Sequence, residues 1–374
     1  MKHVVLAGGG TGGHLVPGIN LAEGIQRRWP EARITFFTSG RPVEHKLLEG
    51  RFEGRVLPAP KGGATWRRGL SSVRAVPEAF IRAYTHFLKV KPSAFVGLGG
   101  YAAVPAALAA RSLRVPIYLL EQNVVPGRAT RCLSAMATEI HCQWDETLEK
   151  LSDRSRTLVS GTPLRADLTQ ERTEQAYRER GLEPARPTLL VMGGSQGACS
   201  VDDAVVRSLE KAKGRRWQAI HLTGAGEEER VRAAYRTAGL PHWVASFASD
   251  MPAIYALADL VLARAGGTTC AELAAAGLPA VFVPYPWHKD KHQYRNAQAM
   301  AGRCGSVWVE QSSLTPVCFE HLVLGLLDDR SRLEQISARM RRVFRLDATT
   351  TICDSLGRIP PRESGATAKW AYRS

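Results

Sequence analysis

Residues 8–14 read GGGTGGH and follow the apolar run VVLA. Five glycines in six positions strip the chain to bare backbone, and a single histidine closes the stretch. An apolar strand that runs into bare amides and then a helix builds an anion site, because unpaired N–H groups and the helix dipole face the same point. Gly8, Gly10 and Gly13 also fit G-x-G-x-x-G, a pattern too weak to name a ligand alone. The rest of the chain has to supply the meaning.

Working outward, glycine pairs recur where strand-like runs meet helical ones. SAFVGL leads into GGYAAVP, TLLVM into GGSQGA, and LADLVLAR into AGGTTCAELAAAGLP. One such turn is explained by glycine's conformational freedom. Four of them point to phosphate. The runs HVVLA, RITFFT, SAFVGL and PIYLLE form one series, and TLLVMGG, WQAIHLTG, LADLVLAR and PAVFVPY form a second. Strands that alternate with helices predict parallel sheets covered on both faces, so two series predict two doubly wound α/β domains. Pro17 is expected to open the first helix, with Ile19, Leu21, Ala22 and Ile25 on its buried side. Gly161 and Pro163 interrupt the pattern, which places the domain break after residue 162. The tail from 357 to 374 is polar and aperiodic, and is expected to be loose.

Two familiar nucleotide sites fail on their second requirement. A P-loop needs Lys and then Ser or Thr after its last glycine, where this chain has His14 and Leu15. A nicotinamide fold needs an acid at the end of the second strand, where ITFFTSG has none. The second half supplies an acid instead: Glu272, just after GGTTCA, is expected at a helix start, where a carboxylate and helix amides could meet ribose hydroxyls and phosphates together. An ordinary charge at a helix N-terminus is the alternative reading.

Composition bounds the rest. The 374 residues carry a net charge of +15, 44% hydrophobic residues and seven cysteines. The odd cysteine number without a C-x-x-C pair reads as free thiols in a reducing compartment. MKHVVLAGGG reads as a strand entering a turn rather than a leader, and no apolar stretch is long enough to span a bilayer. Of the net charge, +10 falls within residues 1–162 and +3 within 163–342. Between 61 and 91 the chain sets Lys61, Arg67, Arg68, Arg74, Arg82, Lys89 and Lys91 against Glu78 alone, interleaved with Trp66, Phe80 and Phe87. A solvated helix face is the plain reading. A basic, aromatic-bearing stretch also suits an anionic membrane surface, and no nucleic-acid module accompanies it.

Together GGGTGGH, GLGGY (97–101), EQNVVPG (121–127), GTPLR (161–165), GGSQGA (193–198), GGTTCAELAAAGLP (266–279) and HKDKHQYRNA (288–297) resemble the MurG family. These bacterial transferases move N-acetylglucosamine from UDP-GlcNAc to lipid-linked muramoyl-pentapeptide (lipid I), making lipid II. The motifs stand in family order from residue 8 to about 300. The resemblance implies a GT-B fold, two Rossmann-like domains facing across a cleft, with an acceptor and membrane domain over 1–162 and a donor domain over 163–342. A helix around 343–356 is expected to return to the first domain. On the donor it places Arg165, Ser195, Ala248, Gly267, Thr268, Thr269, Glu272, Gln293 and Asn296, with Thr11, Gly12, Gly13 and Asn123 reaching in from the first domain. It also implies a peripheral enzyme on the cytoplasmic face of the inner membrane, serving cell shape and division alongside other cell-wall and division proteins.

The acceptor carries a pyrophosphate too. The first glycine loop is therefore expected to cradle it through Gly10, Gly12 and Gly13, with Gly99, Gly100 and Tyr101 beside them. His14, at the loop's end, is a candidate general base or acceptor contact, although a lone histidine more commonly just packs a helix start. No Asp-x-Asp pair is present, so no metal or cofactor is expected. HKDKH is set aside as a cleft loop because lysines interleave with its histidines. A GT-B transferase with another lipid acceptor, a UDP-sugar epimerase and a membrane-bound scaffold are the competing readings.

Overall fold

Strand β1 (His3–Gly8) lies at the centre of a parallel sheet, paired to β2 (Arg33–Thr38) on one side and β4 (Ala94–Gly99) on the other. The sheet is completed by β3 (Glu53–Val56), β5 (Ile117–Glu121), β6 (Glu139–Cys142) and β7 (Thr157–Val159), in the order β3-β2-β1-β4-β5-β6-β7. A second parallel sheet holds β8 (Thr188–Met192), β9 (Gln218–Leu222), β10 (His242–Ala245), β11 (Leu260–Ala263), β12 (Ala280–Phe282) and β13 (Val307–Trp308), in the order β10-β9-β8-β11-β12-β13. This computed structural model describes residues 1–9, 12–58, 70–151, 153–193, 199–288, 290–343 and 347–358. The chain is thus α/β, with two doubly wound domains.

Both sheets are covered on both faces, which explains their near-continuous apolar strands. Val5 and Ala7 of β1 enter one core and Val4 and Leu6 the opposite one. In β8, Leu189 and Val191 face one side and Leu190 the other. Ile19, Leu21, Ala22 and Ile25 are buried in the first domain as their spacing predicts. The helix Ala348–Gly357 also packs there, with Ile352 and Leu356 fully buried in the core beside Val4 and Leu6. Truncating either side chain to alanine would cost about 2–5 kcal/mol. The Tyr118 hydroxyl donates to the Ser355 carbonyl at 3.3 Å, and Arg28 pairs with Asp354 at 2.8 Å.

Two helix boundaries differ from expectation. The first helix runs Gly12–Arg28, so Pro17 lies inside it rather than opening it. Glycines 12 and 13 already take helical conformation. Glu272 is the sixth residue of the helix Gly267–Ala276, not a first-turn charge. The strands β3, β6, β7, β10 and β13 extend the two sequence series.

Candidate active site

In each sheet the strand order reverses once, between β1 and β4 and between β8 and β11. Crevices at the carboxyl ends of strands form where that order reverses, because the two following helices leave in opposite directions. All four glycine turns follow these four strands. The sequence has therefore put its bare backbone at the two places where the topology opens a site.

At the first of these, the loops after β1 and β4 touch. Gly99 and Gly100 both take positive φ, +94° and +78°. A Cβ on Gly100 would overlap the Gly9 carbonyl, and one on Gly99 would fall 2.8 Å from His14 Nδ1. Only glycine lets the loops close like this. His14 is half-buried, and its Nδ1 meets the Leu98 carbonyl at 3.0 Å. A carbonyl can only accept, so the proton sits on Nδ1 and a neutral ring keeps its lone pair on Nε2. That is the tautomer a base needs. The Tyr101 hydroxyl is buried with no hydrogen-bond partner among the described residues. Gly10 and Thr11 lie outside the described residues.

The second site has different chemistry. Glu272 is half-buried and its Oε2 accepts from the Tyr255 hydroxyl at 2.8 Å. Burial pushes its carboxyl up to about 7, against the opposing pull of the Tyr255 hydrogen bond and the Arg165 charge. Arg264 follows β11 directly, and its guanidinium is buried. It donates to the Val283 carbonyl (2.9 Å), Ser200 Oγ (2.9 Å) and Gln311 Oε1 (2.7 Å). These acceptors and the Pro284 carbonyl (3.3 Å) are all neutral, so among the described residues this buried cation has no carboxylate in its hydrogen-bond shell, and burial lowers its pKa. Sequence reading missed Arg264. Its signal was a charge ending the otherwise apolar run LADLVLAR. Ser195 lies outside the described residues.

The two sites face one another. The Thr268 hydroxyl donates to the Gly13 carbonyl at 2.7 Å, and Gly267 packs so tightly on the Gln122 backbone that a Cβ would overlap it. Glu121, which the sequence showed only as part of EQNVVPG, organises that segment from beneath. Its carboxylate accepts from the amides of Asn123 (3.0 Å) and Gly127 (2.8 Å) and from the Thr130 hydroxyl (2.6 Å). Asn123 in turn accepts from Asn296 Nδ2 at 2.9 Å.

Asn296 itself is fully buried and committed to protein. Its Oδ1 accepts from the Val124 amide (2.9 Å), and its Nδ2 also donates to the Ala265 carbonyl (3.0 Å). In this arrangement it clasps the two domains together, with both amide protons spent. Arg303 adds an outer clasp to Asp145 (3.0 Å) and Glu146 (2.7 Å). Gln293 Oε1 accepts from the Tyr285 amide at 2.9 Å. Arg165 is held by a two-pronged pair with Asp167 at 3.0 and 2.9 Å and reaches the Ser249 carbonyl at 3.5 Å, next to buried Ala248. Thr269 is half-buried one residue beyond Thr268.

The chain matches the glycosyltransferase family 28 N-terminal domain over residues 4–142 and the family 28 C-terminal domain over 188–352. A UDP-N-acetylglucosamine--N-acetylmuramyl-(pentapeptide) pyrophosphoryl-undecaprenol N-acetylglucosamine transferase from Nitratidesulfovibrio vulgaris strain Hildenborough is 37% identical, over 95% of this chain and 97% of its own. Its namesake from Geobacter sulfurreducens is 33% identical, over 94% and 97%. The chain belongs to the MurG family. The crystal structure of Acinetobacter baumannii MurG superposes with a TM-score of 0.75 at 28% identity, covering 96% of this chain and all of that one. A UDP-GlcNAc 2-epimerase from Neisseria meningitidis gives 0.66 at 11% identity, a likeness of fold alone.

The basic stretch divides on inspection. Lys61, Trp66, Arg67 and Arg68 lie outside the described residues, as does the side chain of Arg74. On the helix Leu70–Val90, Phe87 is not a surface residue. It is 1% exposed, stacked on Phe37 at 5.7 Å in the first domain's core. Phe80 packs half-buried against that core, because 80, 83, 84 and 87 share the inward face of the helix. The outward face carries Ile81 (58% exposed), Leu88 (50%), Arg82 and Lys89, with Lys91 just beyond the helix. Among the described residues no helix is long and apolar enough to cross a membrane.

Proposed function

We infer that this chain transfers N-acetylglucosamine from UDP-GlcNAc to the muramoyl-pentapeptide of undecaprenyl-pyrophosphoryl lipid I, forming lipid II. The observation that carries the reading is the meeting of two phosphate-competent loops across one interface, at the Thr268–Gly13 hydrogen bond. A two-substrate enzyme whose donor and acceptor both carry a pyrophosphate has use for two such loops. An epimerase acts on one sugar nucleotide and has use for one.

In this reading the second domain holds the donor. Glu272 takes ribose hydroxyls with the oxygen that Tyr255 leaves open, and Arg165, Ala248, Thr269 and Gln293 line the same side. Ser195 and the glycine loop around it meet the phosphates, with the buried charge of Arg264 behind the β11 end favouring the dianion. Helix amides and that fixed charge stabilise UDP as it leaves, preorganised where negative charge develops. The first domain holds the acceptor. Amides of residues 10–13 and 99–101 cradle its pyrophosphate, Tyr101 offers its free hydroxyl, and His14 Nε2 takes the proton of the attacking sugar hydroxyl. The new glycosidic bond forms on the face opposite the breaking bond to UDP, which inverts the anomeric centre.

The outward face of Leu70–Val90 and the basic residues before it dock on anionic lipid, which holds the enzyme peripherally on the cytoplasmic face beside its lipid-borne acceptor. Incubation with labelled UDP-GlcNAc and a short-chain lipid I analogue tests the assignment. Labelled disaccharide-lipid is the expected product. Free N-acetylmannosamine nucleotide with no lipid product would move the chain to the epimerase reading.

A further inference from the structure

The segment between β12 and the helix His292–Cys304 gathers three metal-type side chains that the transfer reaction above leaves unused. His288, Asp290 and His292 converge until their ligand atoms all lie within 4.8 Å of one another. His292 Nδ1 meets Asp290 Oδ1 at 2.8 Å, and the two imidazole centroids are 4.2 Å apart. Lys291 makes this convergence possible. It takes φ 48° and ψ 29°, the left-handed region that a lysine enters only at a cost of roughly 1–2 kcal/mol. That single turn folds residue 292 back onto 288 and 290. Of the two interleaved lysines, Lys291 is exposed while the residues on either side of it cluster, and Lys289 lies outside the described residues.

We propose that His288, Asp290 and His292 form a binding site for one divalent transition-metal ion of the zinc type. Two imidazole nitrogens and one carboxylate oxygen are a recurrent three-ligand set for zinc, with the fourth position open to water. Imidazole donors favour zinc, nickel, copper and cobalt over magnesium or calcium, which take oxygen. At metal–ligand distances of about 2.0–2.1 Å, neighbouring ligand atoms of a tetrahedron sit about 3.3 Å apart. The same loop is already tied at its other end, where Gln293 Oε1 holds the Tyr285 amide. An ion would fasten the far end and fix the whole segment on the donor side of the cleft.

The test is a cobalt titration of the full-length, reduced and chelator-free protein, followed by its visible d–d absorption. One equivalent should bind with a tetrahedral nitrogen–oxygen spectrum and be displaced by zinc. His288→Ala and His292→Gln should each weaken binding about tenfold or more. Asp290→Asn serves as the second variant if a histidine replacement fails to fold, as judged by circular dichroism. Three results would overturn the site. They are absence of stoichiometric binding, affinity unchanged in folded variants, or a near-ultraviolet thiolate band placing the ion on a cysteine such as exposed Cys132.

Discussion

The two points where strand order reverses share a topology and differ in almost every side chain. The one between β1 and β4 sets a histidine whose Nδ1 is held by the Leu98 carbonyl beside a buried tyrosine hydroxyl with no partner among the described residues. The one between β8 and β11 has a half-buried acid with a raised pKa and a buried arginine without a carboxylate partner among the described residues. The fold alone therefore says only that something anionic sits at each. What separates proton transfer from nucleotide holding is the handful of side chains set around the same bare backbone.

The sharpest way to break this division is at His14. If Nε2 is the base, His14→Ala should lower turnover on lipid I by roughly 10²–10⁴-fold. Near-normal turnover in a folded variant would leave the histidine as packing against Gly99 and remove the proton-transfer half of the comparison.

A smaller effect tests the opposite side through pH. The Glu272 carboxyl, raised by burial to about 7 from an ordinary 4.5, keeps its proton in the folded chain only below about pH 7. Its contribution to stability is present below 4.5 and is lost as pH rises through 7. Ribose hydroxyls donate, so they favour the carboxylate, and donor binding should release a proton. UDP-GlcNAc affinity should then rise about tenfold from pH 6 to pH 8. Calorimetry in buffers of different ionisation enthalpy reads both quantities. Glu272→Gln should flatten the dependence; the same slope in that variant would assign it elsewhere.

Much of this was legible in the chain because parallel strands buried on both faces must be apolar throughout. Eight strands announced themselves that way. β3 did not, because EGRV is solvent-exposed along its whole length at the sheet edge. β13 is two residues long, and β7 carries an exposed leucine between two threonine-like neighbours in size. Phe87 was misread for the opposite reason: charge on both flanks drew attention to a helix whose inward face it shares with Ala79 and Ala83. Asn296 illustrates a further limit. Its partners in the first domain, the Val124 amide and the Asn123 side chain, lie 172 and 173 residues away, and no local pattern encodes such contacts.

The least disruptive change concerns the membrane. Vesicles containing anionic lipid should bind the chain in a salt-sensitive way. Arg67→Gln, Arg68→Gln and Arg74→Gln together should reduce binding by about 1 kcal/mol per charge removed at low salt. Equal co-sedimentation of the triple variant would make the stretch an ordinary solvated face and leave both clefts untouched.

The division of labour itself is tested most directly by one crossed measurement: UDP-GlcNAc affinity, by calorimetry, for His14→Ala and Glu272→Ala side by side. Removing Glu272 should cost about 1.5–3 kcal/mol of donor binding, the worth of hydrogen bonds to a charged group. Removing His14 should leave donor affinity close to that of the unaltered chain. If His14→Ala weakens the donor as much as Glu272→Ala does, the two clefts share one nucleotide and the account fails.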